Sequence, residues 1–404
     1  MKRRVVITGM GAVSSLGMTA TENMEAMKAG QSGISQLEFQ DVDRLQIKIG
    51  GQIKNYDETR HFSRQEISLY DKFTQFAMLA AREAVVQSGV TFQGGISERA
   101  GVVLGTSGGG LQTQDENFRK VYEEGKNRVH PFVVPRLMNN AAASHLSMIH
   151  GITGPCYTVA TACASSNHAM GQAFHMIRSG MSDVMLTGGS ESMLCFGGIK
   201  AWEGLRVMSK DGCRPFSANR NGMVQGEGAA VFVFEEMGLA QARGAEILAE
   251  VVGFAMSSDA SDIVTPNVNG AVRAIKGALN DAGLSPENIG YINAHGTGTA
   301  ANDRSECQAV SELFGEHAGT LRISSTKSMH GHLIGGTGAV ELLACILALR
   351  EGIIAPTINF EKSDPDCNLN VVPNVAQEAI IDATLSNAFA FGGLNAVLAL
   401  RAAR

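Results

Sequence analysis

The sequence predicts an α/β fold built on a mostly parallel sheet. Three observations lead there. Short β-branched and apolar runs recur along the chain, segments of helical period lie between them, and one strand–loop–helix pattern occurs twice. A layered α/β protein needs this alternation, because helices must cover the apolar faces of its sheet.

The strands are expected in order at "RVVIT" (4–8), "AGVVLGTS" (100–107), "CYTVAT" (156–161), "DVMLTGG" (183–189) and "AAVFVFE" (229–235). From residue 245 come "AEILAEVVGFAMSS", "IGYINAHG" (289–296) and "RISSTK" (322–327), and "DATLSNAFAFGGLNAVLALR" closes the chain as two strands joined by a glycine turn. After "VVIT", the "GMG" of residues 9–11 reads as a tight turn that imitates a dinucleotide fingerprint. Ser14 stands where the third glycine would be, and no acidic residue ends a second strand about 20 residues on, so a plain strand–turn start is expected.

Helical period marks residues 68–89, with Phe73, Phe76, Ala77, Ala80 and Val85 on the buried face. It also marks 164–180, where Ala169, Met170, Ala173, Phe174 and Ile177 share one stripe and Gly180 is a stop signal. Residues 338–352 are apolar nearly all round, which predicts complete burial. The repeated pattern is "TVATACASSNHAMGQAFHMIRSG" and "ISSTKSMHGHLIGGTGAVELLACILALREG": strand, small-residue loop, helix, basic residue, glycine. Two copies of a βα unit suggest a duplicated fold with its site between the halves. With no Pro/Ser-rich linker, the halves should pack as one body.

Bulk properties exclude several classes. The 404 residues are 44% apolar and 18% charged, a globular composition. The net charge of -6, with no basic block, argues against nonspecific nucleic-acid binding. Seven cysteines, an odd number with no C-x-x-C, exclude a regular disulfide framework or zinc ribbon and point to the cytoplasm. "MKRRVVITGMGAVSSLG" imitates a signal peptide, but its apolar stretch is short, broken by Gly9 and Gly11, and lacks an A-x-A site. No apolar run approaches the ~20 residues of a membrane span.

Three residues stand where chemistry is expected. Cys163 ends a strand and opens a helix among Thr161, Ala162, Ala164, Ser165 and Ser166. A helix N-terminus favours thiolate, and small neighbours admit a carbonyl. A small buried cysteine is the competing reading, and the one adopted for the other six. His295 in "YINAHGTGT" and His332 in "STKSMHGH" both follow a strand, where α/β proteins collect ligands. The "HGH" pair of His330 and His332 has no acidic or thiol ligand in its loop, so no metal site is expected.

"TACASS", "NAHGTGT", "STKSMHGH" and "NAFAFGG", in this order, with "RPFSANRNGMVQGEGAAVFVFE", resemble the β-ketoacyl-acyl carrier protein synthases of the synthase I/II type. The match spans the chain, and "STKSMHGH" with "SNAFAFGGLNAVLA" is most similar to ketosynthases of specialised, nodulation-type pathways. The resemblance implies a thiolase fold: two βαβαβαββ halves, residues 1–245 carrying Cys163 and 246–404 carrying both histidines, in a five-layered αβαβα body. It implies decarboxylative Claisen condensation, in which malonyl-acyl carrier protein extends an acyl thioester held on Cys163.

By the same resemblance, His295 and His332 donate to the malonyl thioester oxygen, and the backbone N–H groups of Cys163 and Phe391 form the oxyanion hole. Lys327, coupled to Glu306, supplies electrostatic support. Thr297 and Thr299 bind the phosphopantetheine arm, which arrives on the carrier, so no resident cofactor is expected. Phe391 is the mobile gate, whereas Phe389 is expected in the core. Gln114 is expected at the acyl pocket. Ala390, Leu394, Ser217 and Asn221 depart from the family pattern. An acidic carrier protein would dock on cations such as Arg64, Lys72, Lys126, Arg128 and Arg206. The expected assembly is a homodimer, or a heterodimer with a second ketosynthase-like subunit. The alternatives are a non-elongating, chain-length-determining subunit, against which Cys163 and both histidines argue, and a coenzyme A-dependent thiolase-like enzyme. His330 falls where the family varies, so only loop packing or a rim position is expected of it.

Overall fold

Ten strands hydrogen-bond into one continuous sheet: β1 (Val5–Ser14), β2 (Ala100–Gly105), β3 (Cys156–Val159), β4 (Val184–Glu191), β5 (Gly228–Glu236), β6 (Ala249–Ser258), β7 (Tyr291–Asn293), β8 (Arg322–Ser324), β9 (Ala383–Ala390) and β10 (Leu394–Arg401). The computed structural model describes residues 3–403; Met1 and Lys2, at the head of the signal-like stretch, and Arg404 lie outside them. The sheet order is β8-β7-β9-β10-β6-β1-β5-β4-β2-β3. It reads as one pattern used twice, β3-β2-β4-β5-β1 and β8-β7-β9-β10-β6, joined where β1 meets β6. The repeated βα unit of the sequence falls on matching places, after β3 and after β8.

The sheet is mixed, not mostly parallel as expected. β2 runs parallel to β3 and β4, and β7 to β8 and β9, where helical crossovers intervene. The pairs β4/β5, β5/β1, β1/β6, β6/β10 and β10/β9 are antiparallel. Only crossover connections impose parallel pairing, and β9 and β10 are joined by a short turn instead.

Five helices organise the layers: α1 (Lys72–Ser88), α2 (Ser165–Arg178), α3 (Val268–Ala282), α4 (Ala300–Phe314) and α5 (Thr337–Glu351). α1 covers β1 and β5, while α3 covers β6 and β10 with α4 beside it. α2 and α5 lie between, and each touches strands of both halves. The result is the αβαβα stack of the thiolase fold. Residues Thr337–Ala348 of α5 are all buried, as its uniform apolarity requires. The stripe expected on α2 is buried too.

The "GMG" segment is not a turn. β1 continues through it to Ser14. A Cβ on Gly9 would fall 2.1 Å from the Ala84 carbonyl oxygen, and one on Gly11 2.0 Å from that of Ala80. These glycines let α1 lie directly on the strand. Among the described residues, no helix is long and apolar enough to cross a membrane.

Candidate active site

Cys163 sits at an elbow between β3 and α2. Ala162 takes φ +46°, a left-handed conformation unusual for a residue with a Cβ. Ser165 staples the bend: its hydroxyl donates to the Ala162 carbonyl at 2.6 Å and accepts the Thr161 N–H at 2.9 Å. No side chain caps the start of α2, so its positive end is left to the cysteine. Small residues then draw the two central helices together. Ala339 N–H of α5 donates to Ser166 Oγ of α2 at 3.2 Å, and a Cβ on Gly338 would sit 1.9 Å from Asn167 Oδ1. This contact brings the His332 loop, just before α5, onto the cysteine.

His295 follows β7. Its backbone N–H and that of Gly296 donate to the Glu306 carboxylate at 2.9 and 2.8 Å. His332 follows β8, and its Nδ1 receives the Ile334 N–H at 3.1 Å, with Thr337 Oγ1 at 2.8 Å. A backbone N–H can only donate, so Nδ1 is an acceptor and the ring proton resides on Nε2. That Nε2–H is buried without a protein partner. The ring centroids of His295 and His332 are 5.4 Å apart. Cys163 Sγ and one ring nitrogen from each histidine all lie within 4.8 Å of one another.

Lys327 is completely buried, and its Nζ donates to Glu341 Oε1 at 2.5 Å. This corrects the expected coupling to Glu306. The Glu306 oxygens are taken by the His295 and Gly296 N–H groups and by Asn387 Nδ2. Glu306 is therefore buried behind the histidine loop, not a binding residue on the cavity wall. Burial lifts Glu341 to about 7 against the opposing pull of Lys327.

Desolvation also governs the other groups. It pushes the Cys163 thiol up to about 11, against the Lys327 cation and the backbone N–H groups of Phe391 and Cys163, with Glu191 adding to the rise. The helix start was expected to favour thiolate; burial outweighs it in the resting site. His295 and His332 are held well below the ordinary histidine range, first by burial and next by Lys327. Both are therefore neutral near pH 7.

A cavity of about 120 Å³ opens onto this group. Thr297, Thr299 and Phe391 line it as expected, and the two threonine hydroxyls lie 2.9 Å apart. Phe389, expected in the core, also lines it, its ring 6.1 Å from that of His295. Gln114 does not. It lies on the helix Leu111–Tyr122, in a separate surface hollow with Phe118 and Tyr122.

His330 points elsewhere. Its Nδ1 donates to the Gly331 carbonyl at 2.7 Å and its Nε2 pairs with Thr326 Oγ1 at 3.0 Å. It is a fully buried packing residue, not a rim residue.

Two carboxylates were missed. Glu341 is the one acidic residue inside the apolar run "GAVELLACILAL", and that lone charge was its signal. Glu191 accepts from Ser107 N–H at 2.7 Å, Gly108 N–H at 3.1 Å and Gly335 N–H at 3.1 Å, tying the loop after β2 to the turn beyond His332. Nothing in its local sequence marks that role.

Residues 2–240 match the family model for the beta-ketoacyl synthase N-terminal domain, and 248–361 that for the C-terminal domain. The chain is similar to nodulation protein E of Rhizobium sp. (strain N33), 45% identical over 99% of this chain and 100% of that protein. It is 39% identical to 3-oxoacyl-[acyl-carrier-protein] synthase 2 of Staphylococcus aureus (strain N315), over 99% of this chain and 98% of the relative. The solved structure of the ishigamide ketosynthase/chain length factor superposes with a TM-score of 0.95 at 34% identity, covering 100% of both chains. With its doubled sheet, its cysteine elbow and the two histidines that meet it, the chain belongs to the β-ketoacyl synthase family of acyltransferases.

Proposed function

We propose that this enzyme condenses malonyl-acyl carrier protein with an acyl thioester on Cys163, and that the residues gathered around the sulfur divide the work. The observation that carries this is the placement of Cys163 Sγ within 4.8 Å of a nitrogen from each histidine, with the Phe391 and Cys163 N–H groups bearing on the same sulfur.

In the first step Cys163 attacks the acyl carrier thioester. The new Cys163–acyl bond forms, the carrier C–S bond breaks, and the thiol proton leaves on the carrier. The tetrahedral oxyanion is met by the two backbone N–H groups. In the second step the malonyl C–C bond breaks, carbon dioxide departs, and the electron pair passes to the thioester oxygen as an enolate. His332 Nε2–H and the His295 ring stabilise that oxygen. The enolate carbon then attacks the acyl-Cys163 carbonyl: the new C–C bond forms, the acyl–Sγ bond breaks to release the 3-oxoacyl carrier thioester, and the Cys163 thiolate takes a proton from water. Lys327 and Glu341 support the site electrostatically without touching substrate.

A protonated Nε2 cannot ligate an ion, so the His332 tautomer favours this reaction over a metal centre. The assembled cysteine and histidines likewise favour it over a non-elongating subunit. Phosphopantetheine arrives on the carrier, past Thr297 and Thr299, and Phe391 gates its entry. Arg206, exposed next to the cavity-lining Val207, is the proposed docking cation at this cavity. A cytoplasmic location is supported by seven free cysteines, six of them buried. Halves at 1–245 and 246–404 are supported by the repeated strand order.

The proposed assembly is a homodimer. β3 is an edge strand, and the helix Ala141–His150 packed on it exposes Met148 and Ile149. Phe118, Tyr122, Phe132 and Val134 are exposed on residues 111–134, which reach that helix through Val133–Leu137. An open edge with an apolar surround calls for a partner. A second ketosynthase-like subunit would bury the same face.

The test incubates the protein with malonyl-carrier protein and a panel of acyl-carrier proteins, followed by mass spectrometry. An acyl mass on the Cys163 peptide and a 3-oxoacyl product are expected. Neither adduct nor product with any member of the panel would overturn the proposal.

A further inference from the structure

The chain has one tryptophan, and the reaction above gives it no task. Trp202 lies on the helix Phe196–Gly204 and lines the cavity that holds Cys163, His295 and His332. Its ring is stacked on Phe391, with centroids 5.9 Å apart and planes 23° from parallel.

The two rings are held very differently. The Trp202 helix is pinned at both ends. Glu203, the next residue, accepts the backbone N–H groups of Gln46 at 2.6 Å and Ile47 at 2.9 Å. Phe196, at the other end, lies beneath the guanidinium groups of Arg44, at 4.5 Å, and Arg119, at 5.5 Å. Phe391, in contrast, begins the turn after β9 and is followed by Gly392 at φ +82° and Gly393 at φ +66°. Two successive glycines in the left-handed region make a pivot that costs little to move. The turn is tied by Gly393 N–H to Ala390 O at 3.0 Å, Gly392 N–H to Ile263 O at 2.8 Å and Asp259 N–H to Gly393 O at 2.9 Å.

Phe391 thus carries a ring and a functional N–H on one hinged residue, and the ring rests on a fixed wall. We propose that Trp202 is a positioning residue that holds Phe391 where its backbone N–H faces the Cys163 sulfur. The kinetic consequence rests on the condensing function proposed above; the contact itself does not. An aromatic stack biases such a two-position residue by about two- to tenfold. Removing it leaves the N–H opposite the oxyanion in a smaller fraction of molecules, while the gate opens more readily. A lower kcat without a higher KM for malonyl-carrier protein follows.

Full-length Trp202→Leu, Trp202→Phe and Phe391→Ala are the variants to compare. Trp202→Leu keeps apolar bulk but no stack, and should lower kcat about two- to tenfold with KM unchanged or reduced. Trp202→Phe should restore kcat. Phe391→Ala should move the fluorescence emission of the single tryptophan to longer wavelength, because water replaces the stacked ring. That shift is read with no substrate present, so it supports the contact even in a chain that fails to condense. Unchanged emission in Phe391→Ala overturns the proposal. So do Leu and Phe variants with equal kcat in a chain whose wild type condenses, and so does a loss confined to KM.

Discussion

The junctions after β3 and β8 occupy the same place in the two halves and do opposite things. The first, residues 160–164, is a tight elbow with Ala162 in the left-handed region, and it aims a single side chain by backbone geometry. The second, residues 325–336, is longer and fully buried, with one helical turn at Lys327–His330, and it carries Lys327, His330 and His332. Duplication of a βα unit supplies a pair of facing positions. Loop length then decides what each can hold: a short loop fixes a nucleophile beside N–H donors, and a long one has room to bury charges and choose a tautomer.

The largest loss should come from emptying the short junction. Cys163→Ala should abolish condensation, by about 10⁴-fold or more on the scale seen when a nucleophile is removed. Slow malonyl decarboxylation should persist, because the oxygen donors sit on the other loops. Loss of decarboxylation in a folded variant would show that the long junction does not act on that step by itself.

Emptying the long junction should cost less. His332→Ala removes one preorganised donor, worth about 10²–10³ in rate. The effect should fall on decarboxylation more than on acylation of Cys163, measured separately by carbon dioxide release and by the mass of the acyl-enzyme. Equal losses in both would place His332 on the acyl step too.

How far these junctions could be read in advance follows from the same contrast. The elbow was legible, because small residues between a strand and a helix have few other uses. The histidine addresses were legible, and ordered motifs supplied the roles proposed for them. Partnerships across the fold were not. Lys327 belongs to Glu341 on a helix that reads as pure apolar core, and Glu306, nearer in sequence to His295, serves the backbone instead. The same limit explains "GMG": glycine next to a strand means a turn locally, but here it means a helix lying on top. Gln114 failed because its whole helix, Leu111–Tyr122, packs away from the cavity, which local sequence does not reveal.

Glu341 offers a test through stability. Glu341→Ala leaves the buried Lys327 without its counter-ion, at a cost of about 3–5 kcal/mol. The pH dependence has a definite sign. The folded carboxyl sits at about 7, above its ordinary 4.5, so the native state binds the extra proton between those values. Its contribution is full below pH 4.5 and is lost as pH rises through 7. Buried Glu191, Glu227 and Glu306 are raised in the same direction, so urea unfolding should show that Glu341→Gln makes this fall shallower; a slope identical to wild type would mean the other groups carry it.

The smallest effect on chemistry should come from His330, two residues from the histidine assigned to the malonyl oxygen. His330→Asn should leave kcat/KM within about twofold and cost about 1–3 kcal/mol, because a buried hydrogen-bond partner is lost to Thr326 or Gly331. Its acid behaviour runs opposite to that of Glu341. Burial, reinforced by Lys327, depresses the folded His330 from 6.5 to about 3, so the unfolded chain binds the extra proton in that interval. The neutral ring contributes stability above pH 6.5 that is lost as pH falls toward 3. His145, His150, His168, His295 and His332 are depressed in the same direction, so the acid limb is shared among six rings. His330→Asn should make that limb shallower and leave it in place. An acid limb unchanged in His330→Asn would mean this ring is already protonated in the fold, and an activity loss matching His332→Ala would make the long junction a two-histidine device rather than one histidine with a packed neighbour.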